Sequence, residues 1–274
     1  MNNIEFDHAD IFPDLDAIKL SFKRLLNIVP SEGMVLINAD DPNCIEVAKD
    51  CRAQLVEVGF SPNAARHIRD VRYSAEGSSF TLLDHPFHTP LIGEYNVRNC
   101  AMAISAAHFY GVSLDRIAAG IASFQGIKRR QEVRGTVHGI TILDDFGHHP
   151  TAIRETLRGL RHQYAGRRLW ALFEPRSNTT RRAIFQHDLP KALAEADGVI
   201  LAQVARMDQL KPEDRLDPER VIEDIAATGR PAFYEPGVDE IIERLKPLVK
   251  EGDVIVILSN GGFGGIHERL LKEL

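Results

Sequence analysis

Apolar residues recur through residues 14–28, DLDAIKLSFKRLLNI, at Leu15, Ile18, Phe22, Leu25 and Leu26, and that spacing predicts an amphipathic helix. MVLIN (34–38) is a short unbroken apolar run, as in a strand covered on both faces. ADDP behind it predicts a helix beginning at Pro42, where the missing N–H has no helical partner to lose. Over residues 54–91 the period changes: QLVEVGF, HIRDVRYSA and SSFTLLDHPFHTPLI alternate and are interrupted by Gly, Pro and Asp, which predicts strands and turns. Helical spacing returns over 96–124, with two helices meeting at GVSLD (111–115).

A boundary is expected near 131–139, after KRRQEVRG. Beyond it, strands GITIL (139–143), RRLWALF (167–173), GVILA (198–202), PAFY (231–234) and VIVIL (254–258) alternate with helices over 151–164, 180–195, 217–227, 238–248 and 266–273. That rhythm predicts a mostly parallel, Rossmann-like sheet with helices on both faces. The polar stretch 203–216 reads as a surface loop. The fold class is therefore α/β, with domains over 1–132 and 133–274.

Composition narrows the picture only in part. The 274 residues suit roughly two domains, and 44% hydrophobic with 26% charged residues is the balance of an ordinary soluble globular protein. No apolar run approaches the ~20 residues of a membrane span, and MNNIEFDHADIF carries acids where a secretory signal carries bases. Cys44, Cys51 and Cys100 are odd in number with no CxxC, which points to free thiols and a cytoplasmic setting. A net charge of −6 argues against broad nucleic-acid binding, while leaving KRR (128–130) as a local anion site.

In parallel sheets, ligands lie beyond the carboxyl ends of the strands. Three ends here are chemically loaded: DDFGHHP (144–150), EPRSNTTRR (174–182) and SNGGFGGIH (259–267). Asp144 and Asp145 suit ribose hydroxyls or Mg²⁺, and His148 a phosphate or carboxylate; equally, an aspartate caps the turn and the histidines bond to backbone. SNGGFGG is a glycine-rich turn ahead of a helix, either an anion cradle or tight helix–sheet packing, and it is not a dinucleotide fingerprint. Arg176 stands at a strand end, where its planar fork suits a carboxylate; Arg181 and Arg182 fit either a site or a solvated helix face. Asn96 and Asn99, at i and i+3, either face one ligand or cap a helix. His8, between Asp7 and Asp10, is either a metal ligand or a surface histidine.

Taken in order, NNIEFDH, NADDP, GEYNVRN, KRRQE, DDFGHHPTAI, EPRSNT and SNGGFGG resemble the Mur ligases, ATP-dependent amide-forming enzymes of peptidoglycan assembly, over essentially the whole chain. DDFGHHP resembles the branch using UDP-N-acetylmuramate, and EPRSNT with SNGGFGGIH its murein-recycling members. The resemblance implies that ATP converts the lactyl carboxylate of UDP-N-acetylmuramate to an acyl phosphate, which the amine of L-Ala-γ-D-Glu-meso-diaminopimelate attacks. It implies Mg²⁺ held by His8, adenine contacts from Asn96 and Asn99, and ATP phosphates on Arg130. It also implies ribose on Asp145, and His148 near the phosphates or the incoming substrate. Arg176, Ser177 and Asn178, with the backbone of Gly261, Gly262 and Gly264, would grip the peptide.

Residues 1–132 then resemble part of the family's central ATP-binding domain, and 133–274 its C-terminal ligase domain. Three departures bear on this. No Gly-Lys-Ser/Thr loop occurs in the sequence, and the domain that binds the UDP moiety is not represented, so the expectation is a chain lacking the front of the ligase and inactive by itself. Tyr95 stands where the family often has histidine before the adenine-contacting asparagine. Lys23 falls where some relatives carry a carbamoylated lysine, and it reads here as a helix-surface residue. Two alternatives accompany this reading: a UDP-N-acetylmuramate–L-alanine ligase, and a non-catalytic module binding nucleotide or peptide.

Overall fold

Helix α1 (Leu15–Asn27) begins where the Asp14 carboxylate accepts the Ala17 N–H, and it buries Ile18 and Leu26. The computed structural model describes residues 1–274 as two units, Met1–Gly126 and Ile127–Leu274. In the first, β1 (Met34–Asn38), β2 (Gln54–Gly59) and β3 (Arg66–His67) pair in parallel. Asp41 starts α2 (Pro42–Ala48) by accepting the Cys44 N–H. Strands β4 (Arg69–Ser74), β5 (Gly77–Leu82) and β6 (His85–Thr89) form an antiparallel sheet, followed by α3 (Glu94–Phe109) and α4 (Leu114–Ser123). Val97, Ala101 and Ile104 of α3 pack into one core with Val58, Phe80 and Leu82.

All three cysteines are free thiols. Burial pushes the Cys44 thiol up to about 12 and raises that of Cys100, while Cys51 is only partly covered. Since the thiolate is the nucleophile, a chromogenic disulfide reagent at pH 8 should titrate one thiol rapidly in the native protein, Cys51, and the other two only on unfolding. Fast labelling of all three would contradict this.

The second unit is one six-stranded sheet in the order β11-β10-β9-β12-β8-β7. Its strands are β7 (Glu132–Val137), β8 (Ile140–Asp145), β9 (Leu169–Phe173), β10 (Gly198–Ala202), β11 (Ala232–Glu235) and β12 (Val254–Leu258), parallel except for the β7–β8 pair. Alternate residues feed opposite layers. Leu143, Phe173 and Val256 meet α5 (Pro150–Gln163), α6 (Asp188–Leu193) and α7 (Pro218–Ala226); Ile142, Leu172 and Ile255 meet α8 (Val238–Leu245) and α9 (Ile266–Glu273). Strands covered on both faces read as unbroken apolar runs, which is why the central ones were evident.

Three expectations change. The boundary expected near 131–139 falls instead before KRRQEVRG, which lies in the second unit and runs into β7, joined to β8 by a turn with both His138 and Gly139 at left-handed φ (45° and 75°). A register shift between Val133 and Gly135 hides the alternation that marks a strand. The helix expected over 180–195 shrinks to a 3-10 turn at Ala183–Phe185 and α6. Ser177 Oγ takes the Thr180 N–H, a local side-chain bond that competes with helix, and a backbone β-bridge from Arg182 to Arg215 holds the chain out of helical form. The stretch 203–216 is packed inward at Val204, Leu210 and Leu216.

Asp197 ties α5 to the sheet, accepting from Arg161 Nη1 (2.6 Å) and the Leu169 N–H (2.8 Å). Burial works to raise its carboxyl, but those two donors and Arg230 together bring it below the usual carboxylate value of 3.8. A depressed carboxyl stabilises the fold above its unfolded value and loses that contribution as pH falls through the folded value. Asp197→Asn should therefore melt lower than the parent at pH 7, with the gap closing below about pH 3.8; melting curves that stay equally far apart down to pH 2 would refute it.

Candidate functional site: the carboxyl edge of the second sheet

Strand order brings the three loaded ends together. β12 lies between β8 and β9, and Leu258 pairs with Asp145 on one side and Phe173 on the other, so all three chains leave the sheet at one level. The ladder runs one step further: Ser259 N donates to Asp145 O (3.1 Å) and Glu174 N to Leu258 O (3.1 Å). DDFGHHP, SNGGFGG and EPRSNT therefore emerge side by side.

Both aspartates are the last residues of β8 and are enclosed, Asp144 2% and Asp145 1% exposed. Asp144 is faced by Arg129 Nε at 3.3 Å, Arg134 Nη1 at 3.7 Å and His267 Nε2 at 3.2 Å. Asp145 accepts the Gly147 N–H on one oxygen (2.7 Å) and the Gln131 N–H on the other (2.9 Å). Burial pushes its carboxyl above the ordinary value, against the pull of those N–H groups and Arg130. A ribose contact calls for an open oxygen; the Asp145 oxygens are instead committed to the two turns beside it.

The adjacent histidines are in opposite states. His148 Nδ1 is 3.1 Å from Phe146 O, an acceptor only, so Nδ1 donates and Nε2 is the nitrogen left to exchange a proton. His149 Nδ1 instead accepts the Thr151 N–H at the start of α5, with its ring edge-on to Phe185. His149 is thus a helix cap, and His148, half-buried, has a nitrogen suited to taking a proton.

KRR divides by direction. Arg129 turns inward and donates from Nη2 to Ser259 O and Gly261 O, both at 2.7 Å. Lys128 and Arg130 are exposed, Arg130 over the Phe146 ring at 5.4 Å. Across the edge, Arg176 packs on the glycine turn so closely that a Cβ on Gly261 would lie 2.6 Å from its Cδ. Its Nη1 is 3.5 Å from Glu174 Oε1, and its side chain remains 47% exposed. Ser177 Oγ bonds Thr180 Oγ1 (2.7 Å) and the Thr180 N–H, and Asn178 Oδ1 accepts from Arg181 Nη2 (2.8 Å). Arg181 is buried and bonded to Arg206 O and Ser177 O, so neither a solvated helix face nor an open site describes it. Phe263, Gly264 and Gly265 follow one another at φ 42°, 56° and 71°, a left-handed run that brings successive N–H groups to the head of α9 beside open Gly262.

The expected residues of the first unit are less assembled. Asn96 and Asn99 share α3; Asn96 Nδ2 is spent on Ile92 O (2.8 Å), and Asn99 Oδ1 accepts from Asn2 Nδ2. His8, at φ 54°, is 68% exposed with Asp7 3.9 Å away, and no group of three His, Cys, Asp or Glu side chains suited to a metal ion occurs anywhere in the chain.

Sequence reasoning passed over Arg129, Glu174, Ser259 and His267. Glu174 and Ser259 stood inside quoted motifs, and only strand order shows that they touch; nothing in KRR says which arginine faces inward.

Residues 1–107 match the Mur ligase middle domain and residues 129–261 the Mur ligase glutamate ligase domain. The UDP-N-acetylmuramate–L-alanyl-γ-D-glutamyl-meso-2,6-diaminoheptandioate ligase of Escherichia coli is 38% identical over 100% of this chain and 58% of its own length. A UDP-N-acetylmuramate–L-alanine ligase of Acetivibrio thermocellus is 31% identical over 99% of the chain and 59% of itself. The crystal structure of a murein peptide ligase from Psychrobacter arcticus, 32% identical, superposes with a TM-score of 0.68 over 96% of this chain and 55% of that one. The chain thus spans under two thirds of the length of these relatives. With both matched domains in family order and covering most of its length, the chain belongs to the Mur ligase family.

Proposed function

We propose that this chain is the acceptor-binding part of an ATP-dependent ligase that joins L-Ala-γ-D-Glu-meso-diaminopimelate to UDP-N-acetylmuramate in murein recycling. The observation that carries the reading is the meeting of three strand exits at one edge, with the half-exposed Arg176 guanidinium laid on Gly261. An arginine fork at that position suits a carboxylate of the peptide, with Ser177, Asn178 and the N–H groups of Gly262 and Gly264 around it; the Gly261 N–H is taken by Ser259 Oγ, so Gly261 contributes the surface under Arg176. In the reaction, the lactyl carboxylate oxygen attacks the γ-phosphorus of ATP and ADP leaves. The peptide amine then adds to the acyl carbon, phosphate departs, and His148 Nε2 is placed in this scheme to take the amine proton.

The exposed Arg130, steadied on Phe146, suits the ATP phosphates. Asn96 and Asn99 of α3 are assigned to adenine. ATP supplies the phosphoryl group; a magnesium ion, if carried as in the family scheme, is not held by this chain's side chains alone. His8, with Asp7 beside it, would offer that ion one imidazole and one carboxylate, the remaining positions falling to water and the ATP phosphates. Lacking a Gly-Lys-Ser/Thr phosphate loop, the 274 residues by themselves should turn over no ATP.

Calorimetric titration separates this reading from L-alanine addition. The tripeptide should bind and L-alanine should not; binding of L-alanine without the tripeptide would overturn the acceptor assignment.

A further inference from the structure

The glycine turn is held from three directions, and one of the holds also reaches Arg176. Ser259, fully buried at the end of β12, donates its hydroxyl to Glu174 Oε2 (2.5 Å) while its oxygen accepts the Gly261 N–H (2.8 Å). The hydroxyl therefore has one orientation, and the Gly261 backbone is fixed by it. Glu174's other oxygen faces Arg176 Nη1 at 3.5 Å, and Arg176 lies against Gly261 with no room for a Cβ between them. Glu174 thus touches Arg176 directly and, through Ser259, sets the surface on which Arg176 rests. Its side chain is 13% exposed against 47% for Arg176, so the arginine can meet a ligand and the glutamate stands behind it.

We infer that Glu174 and Ser259 are positioning residues that orient the Arg176 guanidinium, and that they thereby make a carboxylate on the acceptor the feature this edge selects. A carboxylate paired to one side of the fork leaves the opposite N–H groups directed outward, and holding them there in advance lowers the ordering cost of binding. The inference rests on the proposed acceptor role of Arg176 and goes beyond it by naming what holds that arginine and what it reads.

The test is a double-mutant cycle on the full chain, read by calorimetry with L-Ala-γ-D-Glu-meso-diaminopimelate. Glu174→Gln should weaken binding about tenfold in the parent and leave it unchanged in an Arg176→Ala background, because coupled residues are not additive. Ser259→Ala, which deletes one hydroxyl, should act in the same direction and also fall silent without Arg176. With a tripeptide whose diaminopimelate carboxylates are amidated, Glu174→Gln and parent should bind alike. Equal weakening by Glu174→Gln with and without Arg176, or full affinity in both single variants, would overturn the inference while leaving the acceptor site standing. Failure of the unsubstituted chain to bind the tripeptide would instead remove the reading on which the inference depends.

Discussion

Replacing Arg129 by alanine should cost the second unit about 3 kcal/mol, the usual penalty for stripping one partner from a buried charge. Arg129 joins three turns at once: it donates to two carbonyls of the glycine turn, faces the enclosed Asp144 carboxylate and stacks on Phe146. Alanine leaves those carbonyls without their donor. Asp144 is left to Arg134 at 3.7 Å and to His267, whose Nε2 is 3.2 Å away. For a unit of this size that cost lowers the melting temperature by roughly 6–12 °C. Lysine keeps the charge but cannot bridge two carbonyls and a carboxylate together, so Arg129→Lys should fall between. Differential scanning calorimetry at pH 7 reads both; an unchanged melting temperature in Arg129→Ala would show that the turns are held by something else.

Gly261→Ala should do the opposite, sparing stability and removing acceptor binding. The new methyl would stand 2.6, 2.7 and 3.0 Å from Cδ, Nε and Cζ of Arg176. Those atoms belong to a half-exposed side chain, so the arginine swings away rather than the backbone shifting, at a stability cost under about 1 kcal/mol. The displaced guanidinium no longer rests where Glu174 and the turn hold it. Tripeptide affinity should fall at least tenfold, which is about 1.4 kcal/mol. Parental affinity in a folded Gly261→Ala protein would mean that Arg176 does not meet the acceptor.

These two residues also show what was legible beforehand. The central strands β8, β9, β10 and β12 were readable because burial on both faces leaves unbroken apolar runs, and helices α1, α5 and α7 because their apolar positions recur at helical spacing; the caps at Asp14, His149 and Asp217 are seen in the structure. β7 was not, since an edge strand carries charge outward and a register shift breaks its alternation. The loaded strand ends were legible as motifs. Their adjacency was not, because β12 enters between β8 and β9 only through long-range pairing. Direction was equally hidden: Arg129 and Arg130 are neighbours in sequence, one turned into the protein and one exposed. Asp144 and Asp145 read equally as ligand acids and as turn caps; β8 runs two residues further than its apolar letters and carries both under cover, with Asp145 bonded to two turn N–H groups.

The central claim is that the carboxyl edge formed by β8, β12 and β9 receives the acceptor peptide. Amide NMR shifts of the ¹⁵N-labelled chain, followed during titration with L-Ala-γ-D-Glu-meso-diaminopimelate, test it most directly. The account predicts saturable shifts concentrated in Phe146–His149, Arg176–Asn178 and Asn260–Gly265. Saturable shifts confined to β10, β11 and α7, or none at all, would contradict it.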